Sequence, residues 1–176
     1  MKTARSFHRI VAPWFFILLI ITLATGIIYR VGRAWFGMSK ETGNKILSVH
    51  AGDWMGDIAS PLYVIFIGGG LLALLFTGVV LFFKGRAKAG PRRIHRILAF
   101  ILLLPLTASA ATGILFKLGE DWFHFSDGTQ SILMSIHQGS WLGKELRPYY
   151  ILFIGLGLLA LGIYGWLLVK KRPASP

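Results

Sequence analysis

The chain has 176 residues, 55% of them hydrophobic and only 15% charged, which is too apolar for an ordinary soluble domain of this size. It carries 19 Lys and Arg against 7 Asp and Glu, a net charge of +12, and no cysteine. The missing thiols exclude disulfides, iron–sulfur clusters, thiolate-ligated haem and covalent C-x-x-C-H haem attachment.

The first segment holds Lys2, Arg5, His8 and Arg9, followed by a run from 10 to 29 that contains no Lys, Arg, Asp or Glu. About 20 apolar residues cross a ~30 Å hydrocarbon core as a helix. A basic start before an apolar run also suits a cleaved signal, but signal cores are usually about 7–15 residues and end at a small-residue cleavage site. This run is longer and continues into Ile27-Ile28-Tyr29-Arg30. A membrane span is therefore expected.

The next loop carries Trp35-Phe36 and then Ser48, His50, Gly52, Trp54 and Gly56. From His50 to Phe83 is too long for one crossing helix, and Pro61 interrupts it. A short interfacial helix over 45–54 is expected, with a bend near Gly56 that folds His50 back over the bundle. The second span follows at 61–83. After a central basic loop come a third span at 97–116, a second loop with a short helix over 131–142 and a bend near Gly143, and a fourth span at 149–169. Pro148 stands where Pro61 does in the first half.

This order is one unit written twice. Shifted by 87 residues without a gap, 33 of the 80 positions from Arg5 to Lys84 are identical to their partners. His8 falls on His95 and His50 on His137; Thr25-Gly26-Ile27 falls on Thr112-Gly113-Ile114, and Trp54 on Trp141. The fold class expected is an all-α membrane protein, a four-helix up-down-up-down bundle made by tandem duplication of a two-helix unit. The repeats are taken as 1–86 and 87–176.

Charge sets the orientation. The N-terminus, the central loop and the C-terminus (Lys170, Lys171, Arg172) together hold twelve basic residues and no acid. The other two loops hold seven basic residues and all seven acids. Positive-inside logic makes both termini cytoplasmic. Topology accounts for the basic residues without any nucleic-acid partner; the partner expected is the lipid bilayer.

His8 and His95 then lie at the cytoplasmic face, and His50 and His137 at the outer face. His8 and Arg30 are 22 positions apart, about 33 Å along a helix, so the histidines of one repeat cannot share a ligand. Pairing must run between repeats, His8 with His95 and His50 with His137, across a pseudo-two-fold axis along the membrane normal. Two opposed imidazoles in an apolar bundle can clamp a flat metal macrocycle, and haem b, bound non-covalently once at each face, is the candidate. Arg5, Arg9, Arg92 and Arg96 surround the inner pair as candidate propionate ligands. Trp54 and Trp141, four residues after the outer histidines, share their face if the segment is helical. Gly26, Gly113, Gly68, Gly70, Gly155 and Gly157 offer small residues where a ring or another helix comes close, with helix packing the more ordinary reading. His124 falls on Gly37 of the other copy and is read as a surface residue.

The H-R-I start, a span ending T-G-I, the loop motif H-x-G-x-W-x-G and a Gly/Leu-rich span occur twice, at 8–81 and 95–168. This pattern resembles the PepSY-associated transmembrane family. The resemblance implies a bacterial inner-membrane protein, His8, His95, His50 and His137 as haem ligands, and electron transfer across the membrane to ferric siderophores or similar acceptors. Larger members carry PepSY domains in their outer loops, whereas the loops here are only about 30 residues, below the size of an independent domain. The expectation is a dihaem b-type electron carrier or a subunit of a larger complex, with donor and acceptor unspecified. The competing expectation is a cofactor-free subunit that scaffolds a larger membrane assembly.

Overall fold

The computed structural model describes residues 2–84 and 89–170, and among these residues there is helix, turn and bend but no strand. The boundary between the repeats at 86/87 lies outside the described residues, as do the basic residues Arg86, Lys88, Lys171 and Arg172. The described helices are α1 Lys2–Trp35, α2 Lys40–Ala51, α3 Ala59–Lys84, α4 Pro91–Asp121, α5 Asp127–His137 and α6 Arg147–Lys170. One-turn 3-10 helices, Asp53–Met55 and Ser140–Leu142, follow α2 and α5. α1, α3, α4 and α6 are each long and apolar enough to cross a membrane.

α1 and α4 run 34 and 31 residues, well beyond their uncharged cores. The flanks from Lys2 to Arg9 and from Arg30 to Trp35 contain no helix-breaking Pro, and a helix leaving hydrocarbon keeps its hydrogen bonds satisfied simply by continuing. His8 and His95 therefore stand within these helices. Pro61 and Pro148 do not interrupt a helix as the sequence suggested. They sit in the first turns of α3 and α6, where the missing N–H leaves no intrahelical bond unmade.

The outer helices also differ from expectation at both ends. They begin earlier because Ser39 and Ser126, equivalent by the 87-residue shift, cap them: Ser39 Oγ accepts from the Thr42 N–H at 3.1 Å and Ser126 Oγ from Thr129 at 3.4 Å. They end earlier because Gly52 and Gly139 adopt left-handed φ values of 76° and 68°. A second bend at Gly56 and Gly143, φ 86° and 92° with extended ψ, is open essentially to glycine alone. Together the two bends turn the chain out of α2 and α5 and into α3 and α6. The glycines of H-x-G-x-W-x-G are thus a reversal, placed directly after the histidine.

α1 packs on α3 and α6, and α4 packs on the same two helices, so α1 stands diagonal to α4 and α3 to α6. The outer helix α2 lies on α1, and α5 on α4. Interdigitation repeats with the duplication. Phe15 fills the surface left by Gly70, as its counterpart Leu102 fills that left by Gly157; Ile27 seats on Gly155 as Ile114 seats on Gly68. The small residues let large ones reach the axis, so glycines 68, 70, 155 and 157 serve helix packing. At mid-height, Leu75, Leu102, Leu106, Ile154 and Leu158 form a buried layer, with Leu102 at 1% exposure.

The outside of the bundle is apolar as well. Phe66, Phe76, Phe100, Leu104 and Phe153 are all exposed on the spans. Such a continuous apolar girdle would be a large liability in water and suits a lipid bilayer.

Candidate functional site

Each diagonal brings one pair of equivalent histidines together. His8 on α1 and His95 on α4 lie with ring centroids 6.5 Å apart and ring planes at 84°. At the opposite end, His50 at the end of α2 and His137 at the end of α5 lie 6.3 Å apart at 71°. The between-repeat pairing expected from topology is the arrangement seen. The buried leucine layer separates the two pairs.

What surrounds each ring is also duplicated. His50 Nδ1 meets the Thr22 carbonyl at 2.9 Å, and His137 Nδ1 meets the carbonyl of the equivalent Ser109 at 2.8 Å. His95 Nδ1 meets the Leu161 carbonyl at 3.0 Å. A carbonyl only accepts, so these three nitrogens carry the proton and donate. His8 Nδ1 lies 2.9 Å from Thr77 Oγ1, whose own proton goes to the Ala73 or Leu74 carbonyl at 3.0 Å. The threonine oxygen therefore accepts, and His8 donates from Nδ1 as well. In all four rings Nε2 is left as the basic nitrogen.

This is the arrangement of metal-binding histidines, which donate one ring N–H to a carbonyl or hydroxyl so that the other nitrogen is oriented and more basic. The spacing agrees. Two imidazoles bound to one metal through nitrogens at about 2.0 Å place their ring centroids roughly 6 Å apart. Glycines make room for the rings: a Cβ would stand 3.2 Å from His50 Cε1 at Gly26, 2.9 Å from His137 Cε1 at Gly113, 3.3 Å from His95 Cε1 at Gly165 and 3.7 Å from His8 Cε1 at Gly78. Gly26 and Gly113 were candidates from sequence. Gly78 and Gly165 were not, although their identity across the 87-residue shift was available as a signal.

The other candidates are placed unevenly. Arg5, Arg9 and Arg92 are exposed at the end that holds His8 and His95. Arg9 lines a surface groove of about 390 Å³ with Trp14, Trp166 and Lys170. Arg96 is partly buried, donates to the Phe82 carbonyl at 2.9 Å and stacks over the Phe82 ring. Trp54 and Trp141 are corrected: the left-handed glycines end α2 and α5 before them, so they do not share the histidine face. They stand 70% and 64% exposed on the 3-10 turns, Trp141 edge-on to Tyr150. His124 adopts a positive φ of 49° in the second loop and is exposed. Among the described residues no three His, Cys, Asp or Glu side chains gather around a common point.

Burial, with the neighbouring His137 as the second cause, lowers the His50 pKa from 6.5 to about 4, against the raising influence of the Thr22 carbonyl and Asp53. Burial lowers His137 too, opposed by the Ser109 carbonyl. Both rings are therefore neutral at physiological pH, the form a metal requires. Because the unfolded chain takes up a proton near pH 6.5 while folded His50 resists to about 4, stability should fall as pH drops through that window, by about 3 kcal/mol for His50 alone. Unfolding of the haem-free protein in detergent at pH 7 and pH 4.5 measures this. The His50→Leu variant should show a shallower pH slope, and an unchanged slope would contradict the assignment.

No protein-family model, curated protein or solved structure matches this chain.

Proposed function

We propose that the chain is a b-type dihaem cytochrome that carries electrons across the membrane, with one haem held by His8 and His95 and the other by His50 and His137. The single observation that supports this reading is the shared state of the four imidazoles: two opposed pairs, each ring with Nδ1–H committed and Nε2 basic. Bound haem supplies reversible one-electron chemistry at its iron. The protein's part is to fix ring orientation through the Nδ1 donors, to hold the rings neutral, and to keep water out of the leucine layer between the sites.

The paired histidines would close both sites, and at the outer end neither Met55 nor Met134 has a methionine counterpart in the other repeat to act as a symmetric ligand. Electron transfer, not oxygen binding, is the chemistry that suits such sites. Positive-inside charge logic supports a cytoplasmic location for the His8–His95 end and both termini and an outer location for the His50–His137 end, in a bacterial inner or other energy-transducing membrane. An outer acceptor would approach near the exposed Trp54 and Trp141. The short loops favour a compact carrier, or one subunit of a larger complex, over a complete siderophore reductase.

Protein purified in mild detergent tests the reading by colour. A Soret band and a b-type reduced-minus-oxidised spectrum, with haem approaching two per chain, are expected. A colourless, fully folded preparation would contradict it and leave the scaffold subunit as the better account.

A further inference from the structure

The two halves differ in charge at the end that holds His50 and His137. One helical turn beyond Gly113, Lys117 on α4 bonds Asp53 at 2.7 Å and Asp121 at 3.1 Å, with Glu120 at 3.9 Å. The equivalent cation is Arg30, one turn beyond Gly26 on α1. At the positions equivalent to Asp53, Asp121 and Glu120 stand Ser140, Ala34 and Arg33. All three carboxylates are missing from this half, and a fourth position adds charge: Ser60 is replaced by Arg147.

The geometry follows the sequence. The end of α1 adjoins the start of α6 here, with the Trp35 and Tyr149 ring centroids 5.3 Å apart, so Arg30 and Arg147 add like charge to one region. Arg30 donates from Nη2 to Gln138 Oε1 and stacks on the Tyr29 ring, and neither arginine has a carboxylate partner among the described residues. Among the described residues, Arg147 Nε is buried with no hydrogen-bond partner. Two partly buried guanidiniums at adjoining helix ends without an anion are unfavourable, because their repulsion is poorly screened away from bulk water. Arg147 is also the first residue of α6, where the helix dipole adds to the positive field.

We propose that Arg30, Arg147 and Gln138 form a carboxylate-binding site beside the His50–His137 pair. The ligand chemistry is set by the other half: where Lys117 receives its carboxylates from the chain itself, Arg30 and Arg147 receive one from outside. Guanidinium forks suit a carboxylate, which they bind in two parallel hydrogen bonds. Gln138 follows His137 directly, so the anion would sit at the edge of the outer pair. Two sources carry this group, a propionate of the outer haem, which rests on the cytochrome reading, or a soluble carboxylate such as citrate.

The test compares the parent with Arg30→Gln/Arg147→Gln, which removes charge but no packing core, and with Arg147→Gln alone as a milder control. First, each apoprotein is titrated with haem and with haem dimethyl ester, whose propionates are blocked. For the propionate source, esterification and the double substitution should each weaken uptake at the outer site about tenfold, and together no further. Second, each preparation is titrated calorimetrically with citrate. For the soluble source, the parent binds citrate and the double variant binds about tenfold more weakly. Coupling in the first titration or citrate binding lost in the second supports the site. If parent and variant behave alike in both, the site is overturned. If no haem is taken up at all, the cytochrome reading fails separately, and the citrate titration alone decides this inference.

Discussion

His137→Ala is expected to remove one haem and leave the other, and His50→Ala to remove the same one. His8→Ala and His95→Ala should each remove its companion. The physical reason lies in the pairing, since each ring would supply one of the two nitrogens that hold the proposed haem, and a haem that loses one loses most of its hold. The double variant His50→Ala/His137→Ala should therefore lose no more haem than either single. Additive loss, or different haems lost from His50→Ala and His137→Ala, would show that the pairs do not act as units. The outer substitutions should also be the milder ones for folding, because α2 and α5 lie outside the spans. A variant that retains its helical signal and one haem separates loss of a ligand from loss of the fold.

The pairing itself was legible in the sequence because it needs only two facts, the 87-residue shift and the alternation of spans. With those, His8 can meet only His95 at one end, and His50 only His137 at the other; the ring distances agree. The four spans were legible for the same kind of reason, as uncharged runs of membrane length. Helix ends were not. Gly52 and Gly139 stop α2 and α5 just after the histidines, and composition alone does not say which of several glycines takes a positive φ. That is why Trp54 and Trp141 were placed on a histidine face that ends before them.

The partners of Nδ1 were illegible for a more basic reason. Thr22, Ser109 and Leu161 act through backbone carbonyls, which every residue owns, so no side-chain pattern marks them. Gly78 and Gly165 were hidden among other glycines of the same spans, and only the rings resting near them single them out. The asymmetry around Arg30 was present in the alignment of the two halves. It gains meaning only when Lys117 is seen among Asp53, Glu120 and Asp121, the carboxylates its counterpart lacks.

Conduction is the largest consequence of the proposed haem sites at opposite ends of one bundle. On that proposal, an electron entering beside His8 and His95 would pass the leucine layer to leave beside His50 and His137. Removing the outer pair should abolish transfer to an outside acceptor even when the inner haem remains and is reduced normally. Protein reconstituted in sealed liposomes, with an impermeant reductant trapped inside and an impermeant ferric acceptor outside, measures this directly. The account predicts reduction of the acceptor by the parent protein and near-complete loss with His50→Ala. Haem-loaded parent protein that passes no electron, or His50→Ala that passes electrons as well as the parent, would contradict it.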